Sequence, residues 1–263
     1  LTVDFGVFPA TYYSIGNRVW SDTNNDGVHD PTESGIPGVA VNLYLDADQD
    51  GTPDSLTTVA STNTDANGYY LFDSLPEGNY VVSIAPQNFN TGGPLVGYST
   101  TNQADPSDSN ANDDEDNVSD HNNTTIDPDF GILSNTYNLT GAAEPVGETD
   151  PTTAGTPQDP GTDPFGNPIP DNQSNLTVDF GFIQTMSLGN RVWFDLNDDG
   201  IINPGETGIA GVDVQLYRDD GATSPGVFDP AEDTPLGLDT TDGNGYYLFN
   251  DLQPGDYFVN IPN

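Results

Sequence analysis

The chain has 263 residues, with 35 Asp and seven Glu against only three bases, Arg18, Arg191 and Arg218, and it contains neither lysine nor cysteine. A formal charge of −39 excludes phosphate or anionic-lipid recognition by basic clusters, and no apolar run reaches the roughly 20 residues that cross a bilayer, so neither nucleic acid nor membrane insertion is expected. A hydrophobic share of 33%, with 29 Gly and 22 Pro, is low for one large core, while 12 Tyr and 12 Phe are many for a disordered chain. Small β domains joined by long polar loops satisfy both facts, and without disulfides something else must brace them.

In chain order, Leu1-Thr2-Val3-Asp4-Phe5-Gly6 reads as a short strand, and residues 1–8 are assigned as the closing strand of a preceding or neighbouring repeat. A first full unit is expected over residues 14–183. It opens with Gly16-Asn17-Arg18-Val19-Trp20 and continues through β-branched and aromatic runs at Val39–Leu45 and Tyr80–Ile84. Asp65-Ala66-Asn67-Gly68, just before Tyr69-Tyr70-Leu71-Phe72, is a hairpin signal. Long loops are expected at 91–123 and 134–175, the first dense in Asp, Asn and Ser and the second in Pro, Gly, Thr and Asp. Val178-Asp179-Phe180-Gly181-Phe182 closes the unit. Gly189-Asn190-Arg191-Val192-Trp193 then repeats the opening motif 173 residues on, and Asn244-Gly245-Tyr246-Tyr247-Leu248-Phe249 repeats the turn, giving a second unit at 187–263 that stops before its closing strand. A sequence that starts and ends mid-repeat reads as a window cut from a longer array. Helical periodicity is absent, and the fold class expected is all-β, an antiparallel sandwich of five to seven strands per unit. The expected core is Trp20, Val41, Leu43, Tyr70, Phe72, Tyr80 and Val82, with Trp193, Val214, Leu216, Tyr247, Phe249, Tyr257 and Val259 as their counterparts.

The acids carry the only sharp chemistry. Asp22, Asn24, Asp26, the Val28 carbonyl, Asp30 and Glu33 stand at positions 1, 3, 5, 7, 9 and 12 of a calcium loop with Gly27 at position 6. Alternate side chains of a tight loop point to its centre, glycine allows the bend, and the last carboxylate closes the shell. Asp195, Asn197, Asp199, the Ile201 carbonyl, Asn203 and Glu206 repeat the pattern. Asp46, Asp48, Asp50 and Asp54 give a third loop with Thr57 at position 12, expected to be a lower-affinity site closed by a distant carboxylate. Two clusters have weaker spacing, Asp105–Asp120 and Asp219–Asp233. His29, at position 8 of its loop, is expected to point outward. Oxygen-only ligands favour several Ca2+ ions over zinc or copper. Arg18 and Arg191 are expected to pair with a carboxylate or stack on an aromatic ring.

There is no cysteine nucleophile, no Schiff-base lysine, no phosphate-cradling Gly-Lys loop and no G-x-S-x-G elbow, so no enzyme is expected. The order Ser14–Trp20, acidic loop, Gly35–Leu43, Thr64–Phe72 and Leu75-Pro76-x-Gly78-x-Tyr80, recurring from Ser187 to Tyr257, resembles the B-type repeats of the serine-aspartate-repeat (SdrD B-like) bacterial surface proteins. The resemblance implies immunoglobulin-like or prealbumin-like sandwiches, calcium-rigidified, serving as an extracellular stalk or spacer beside an adhesive region. Adjacent repeats or subunits would be its partners, with any host, cell-surface or matrix ligand held by other parts of the parent. Related collagen-adhesin B domains form Lys–Asn isopeptide cross-links, which a chain without lysine cannot. Two alternatives remain open: a self-assembling filament or sheath joined by strand complementation, and an accessory module of a secreted carbohydrate-active enzyme.

Overall fold

The computed structural model describes residues 10–101, 119–141, 144–146, 159–221 and 225–262. The expected strand at 1–8 and the acids Asp105, Asp108, Asp113, Asp114 and Asp116 lie outside the described residues. The chain is all-β and forms two units, Leu1–Ile183 and Gln184–Asn263.

In the first unit β1 (Tyr13–Ser21) is the centre of one sheet. It pairs antiparallel with β4 (Tyr69–Leu75) and parallel with two short strands, β8 (Ser174–Asn175) and β9 (Phe180–Gln184), while β6 (Tyr98–Thr100) borders β9. The facing sheet has the order β3 (Ala60–Asn63), β2 (Ala40–Leu45), β5 (Gly78–Ile84), β7 (Ile132–Leu139), antiparallel throughout. Alternation decides what each strand buries. Val41 and Leu43 of β2 and Val82 and Ile84 of β5 meet Ile15 and Val19 of β1, Phe72 of β4, and Phe180 and Phe182 of β9 in a single core. Each such buried side chain contributes about 2 kcal/mol.

The unit has nine strands where five to seven were expected, and the residues assigned to a loop at 134–175 include most of β7 as well as β8. The sequence of β7, Ile-Leu-Ser-Asn-Thr-Tyr-Asn-Leu, is half polar. Its strand character comes from pairing with β5, which takes Thr136 opposite Val81 and Ile132 opposite Ile84, and which buries Tyr137 and Leu139.

The two Asn-Gly turns do not close hairpins. β3 and β4 belong to different sheets, as do β12 (Thr234–Thr240) and β13 (Tyr246–Leu252). Each turn is instead a corner held against the first strand of its unit. The Val19 amide donates to the Gly68 carbonyl at 2.9 Å, the Val192 amide to that of Gly245 at 2.8 Å, and Gly68 and Gly245 sit at φ +88° and +85°. Gly35 and Gly208 press on these corners so closely that a Cβ on either would lie 1.7 Å from the Asn67 or Asn244 carbonyl oxygen. The arginines stack over the tyrosines of the corner. Arg18 lies 4.9 Å over the Tyr69 ring and Arg191 5.3 Å over Tyr246, with their Nε atoms donating to the Asn67 and Asn244 carbonyls.

A polar knot sits inside the first core. The Asp179 carboxylate accepts from Asn17 Nδ2 at 2.9 Å and from the Arg18 amide at 3.1 Å, and the Asp179 amide donates to Asp120 at 2.7 Å. Tyr70 of one sheet donates to the Val178 carbonyl, and Tyr137 of the other reaches Asp120; burial, first of all, pushes both phenols well above their ordinary range. Beside them His121 meets the Ser119 hydroxyl at 2.9 Å, and burial pulls its imidazole down to about 4.

In the second unit β10 (Met186–Arg191) pairs with β13, and β11 (Asp213–Arg218) lies between β12 and β14 (Tyr257–Asn260). Val214, Leu216, Phe249 and Leu252 form its small core. Trp193, Tyr247 and Tyr257 are only partly buried, and Val259 is 39% exposed where its counterpart Val82 is fully buried. The reason is topological: among the described residues nothing in this unit plays the parts of β7 and β9.

Two outcomes follow. Gly35→Ala and Gly208→Ala each lose about 3 kcal/mol in denaturant unfolding, because the added methyl meets fixed backbone and not a movable side chain. An unfolded His121 takes up its proton near pH 6.5 but the folded one only near 4, so the first unit is fully stabilised above pH 6.5 and loses up to about 3 kcal/mol as pH falls toward 4. Comparing chemical unfolding of the wild-type chain with His121→Gln across that window isolates the effect, since the variant lacks this component of the acid loss.

Candidate metal centres

All three expected loops follow one backbone path. Position 4 is left-handed in each, at Asn25 (φ 60°), Gln49 (φ 59°) and Asp198 (φ 58°), and so is the glycine at position 6, at Gly27, Gly51 and Gly200. The first carboxylate organises the bend by accepting the amide of that glycine. Asp22 takes Gly27 at 2.8 Å, Asp46 takes Gly51 at 3.0 Å, and Asp195 takes Gly200 at 2.8 Å. Position 5 accepts the amide of position 7 in the same way, Asp26 from Val28, Asp50 from Thr52 and Asp199 from Ile201.

The closing carboxylate reaches back across the loop. Glu33 accepts from the Thr23 and Asp30 amides, and Glu206 accepts from Leu196 at 3.0 Å and Asn203 at 2.8 Å. In the third loop Asp54 itself accepts the position-2 amide, from Ala47 at 2.7 Å. The position-2 amide, which Glu33 and Glu206 take in the other loops, is thus taken here by position 9, and not by the distant carboxylate that was expected to close the loop.

The asparagines stand between the acids. Asn24 Nδ2 donates to Asp26 at 2.8 Å and to Asp30 at 3.2 Å, and the Asn197 and Asn203 amides both donate to Asp199. Their N–H groups occupy the place between carboxylates that suits a positive charge. The Ile201 amide, followed by these asparagines, holds the Asp199 carboxyl below the usual range. Asp46, Asp48 and Asp50 differ, because an oxygen from each comes within 4.8 Å of the others, an arrangement that could hold a metal ion; it is the one such acidic group among the described residues. With no amide between them, the Asp50 carboxylate beside Asp48 raises the Asp48 carboxyl above its ordinary value.

What lies behind the Asp22 and Asp46 loops comes from distant sequence. Asp22 is fully buried and receives the Thr101 hydroxyl, while its own amide donates to the Phe182 carbonyl and the Ser119 amide donates to Gly27. Asp46, also fully buried, receives the Thr136 hydroxyl of β7, and Asn122 donates to the Gly51 carbonyl. No local spacing marks Thr101, Thr136 or Asn122. The Asp195 loop lacks such backing among the described residues and leaves Ile201 64% exposed. His29, expected to face outward, is buried instead, its ring edge-on to Trp20 at 5.5 Å and its Nε2 3.3 Å from the Glu33 carbonyl oxygen. Around Asp219–Asp233 the acids are spread over separate backbone donors, Asp219 on Gly226, Asp233 on Asp229 and Asp220 on Thr234. Asp120, from the other weak cluster, belongs to the core knot.

Among the described residues no helix is long and apolar enough to cross a membrane. The SdrD B-like domain model matches residues 13–132 and 186–263. Colossin-B of Dictyostelium discoideum is 31% identical over 268 residues, which cover 100% of this chain and 6% of that protein. Serine-aspartate repeat-containing protein F of Staphylococcus epidermidis is 30% identical over 327 residues, with 99% and 17% covered. Serine-aspartate repeat-containing protein D of Staphylococcus aureus (strain Newman) is 30% identical over 260 residues, with 98% and 14% covered. The chain therefore spans between 6% and 17% of the length of these relatives. Since the two matched stretches take in most of its residues, the chain belongs to the SdrD B-like domain family.

Proposed function

We propose that this chain is a calcium-stabilised, non-enzymatic structural segment of an extracellular protein, in which tandem sandwiches at 14–183 and 187–263 act as a stalk or spacer. The observation that carries the reading is the shared loop: three acidic segments with the same left-handed positions and the same amide-to-carboxylate scheme, all with oxygen donors. Asp22, Asn24, Asp26, Val28, Asp30 and Glu33 would hold one ion, Asp195, Asn197, Asp199, Ile201, Asn203 and Glu206 a second, and Asp46, Asp48, Asp50 and Asp54 a third. A bound cation supplies the positive charge that the asparagine amides stand in for. In a chain of formal charge −39 without disulfides, each ion also removes two charges of self-repulsion.

The family indicated is a structural domain family and not a catalytic one. The serine-aspartate repeat-containing relatives favour a surface or secreted location. Colossin-B comes from an amoeba, so membership alone does not make the source bacterial.

A site filled at 100 times its dissociation constant adds about 3 kcal/mol. Calcium therefore raises the calorimetric Tm by about 5 to 10 °C over the chelated protein, and an unchanged Tm in EDTA overturns the calcium reading. In titration calorimetry, Glu33→Gln and Glu206→Gln each remove or weaken one binding event at least tenfold, and the better-backed Asp22 loop binds more tightly than the Asp195 loop.

A further inference from the structure

Two of the acidic loops share a neighbour. In each, the glycine at position 6 gives its amide to the first carboxylate, Gly27 to Asp22 and Gly51 to Asp46. The carbonyls of these same glycines are both taken by one short segment. The Ser119 amide donates to the Gly27 carbonyl at 3.0 Å, and Asn122 Nδ2 donates to that of Gly51 at 3.3 Å. The second approach is close, since a Cβ on Gly51 would lie 2.6 Å from that amide nitrogen. Only Asp120 and His121 separate the two donors in the chain.

The segment also joins the two sheets of the first unit. Ser119 bridges in parallel to Asp179, and His121 bridges antiparallel to Ser134 of β7. The Asp120 amide donates to the Asp179 carbonyl at 2.8 Å, the Asn122 amide to Leu133 at 2.6 Å, and the Ser119 hydroxyl accepts the Gly181 amide at 3.0 Å. The strands joined in this way are the ones that back the loops. Thr136 of β7 gives its hydroxyl to Asp46, while the Asp22 amide donates to Phe182 of β9. Ser119-Asp120-His121-Asn122 has no aliphatic side chain, so hydrogen bonds hold it in place, those to the two glycines among them.

We infer that the segment Ser119–Asn122 couples the Asp22 and Asp46 loops, so that two calcium ions bind there with positive cooperativity. The inference rests on the calcium reading proposed above and adds how the two sites regulate each other. An ion that fixes the bend of one loop also fixes its glycine carbonyl and, through it, docks the segment. The other loop then meets a partner that is already ordered. Direct repulsion between two dications has the opposite sign and fades with salt, so positive coupling at high salt belongs to the segment. Asn122 is the positioning residue to remove, because its side chain is exposed and its backbone bond to Leu133 survives the change.

Calcium titration of the full chain in about 0.5 M salt, read at the Gly27 and Gly51 amide resonances, tests it. Glu33→Gln, which impairs the Asp22 loop, raises the calcium needed to half-saturate Gly51 about tenfold, and Asp48→Asn does the same to Gly27, because coupling is reciprocal. In an Asn122→Ala background both shifts fall below about threefold. A Gly51 curve that Glu33→Gln leaves in place overturns the inference, and so does a shift that stays above about threefold without the Asn122 side chain. If Glu33→Gln prevents folding, the Asp48→Asn arm, at an exposed carboxylate, decides by the same criteria. Glycines that ignore calcium altogether overturn the calcium reading, whereas glycines that respond independently overturn only the coupling.

Discussion

The buried carboxylate of Asp179 is the constraint on which the first sandwich depends. A charge in a core is tolerable only when donors surround it, and here they come from the Asn17 side chain and the backbone of β1. Meeting that requirement fixes the closing segment in register along β1. Phe180 and Phe182 then fall into the space between the sheets. Asp120, Tyr70 and Tyr137 extend the knot to β4 and β7, so both sheets and the loop before β7 are tied to one polar centre. Shape and polarity are thus decided together: the strand that closes the core is the strand that carries its buried charge.

The acidic loops solve a different problem with related means. Each loop turns its first carboxylate onto its own glycine amide, which holds the bend while leaving further oxygens grouped nearby. Where hydroxyls and strands from distant sequence back the loop, as Thr101 and Phe182 do at Asp22, the carboxylate is buried; without them the loop stands at the surface. The two units therefore share a loop chemistry but differ in how firmly it is anchored. Part of the difference goes with the exposure of Val259, since among the described residues the second unit has no counterpart of β9.

The corners show how local and tertiary information divide. Asn67-Gly68 and Asn244-Gly245 announce a turn with positive φ, and that much is local chemistry. Whether the turn closes a hairpin or crosses between sheets depends on what waits at its tip. Here that is the amide of Val19 or Val192 and a glycine with no side chain to obstruct it. The stacking of Arg18 over Tyr69 was open for the same reason: which ring lies beside the arginine is set by the pairing of β1 with β4.

The sequence by itself determined the all-β class, the two related segments, the spacing of the acidic loops and most of the first core, because alternation, turn residues and loop spacing act within a few residues. Only the tertiary structure decided that Ser134–Asn138 lie in a strand, that His29 turns inward onto Trp20, that Asp22 and Asp46 are buried under the Thr101 and Thr136 hydroxyls, and that Val259 stays exposed. Most of these depend on a partner far away in the chain, or on the lack of one among the described residues, and burial is a property of what covers a residue as much as of the residue itself.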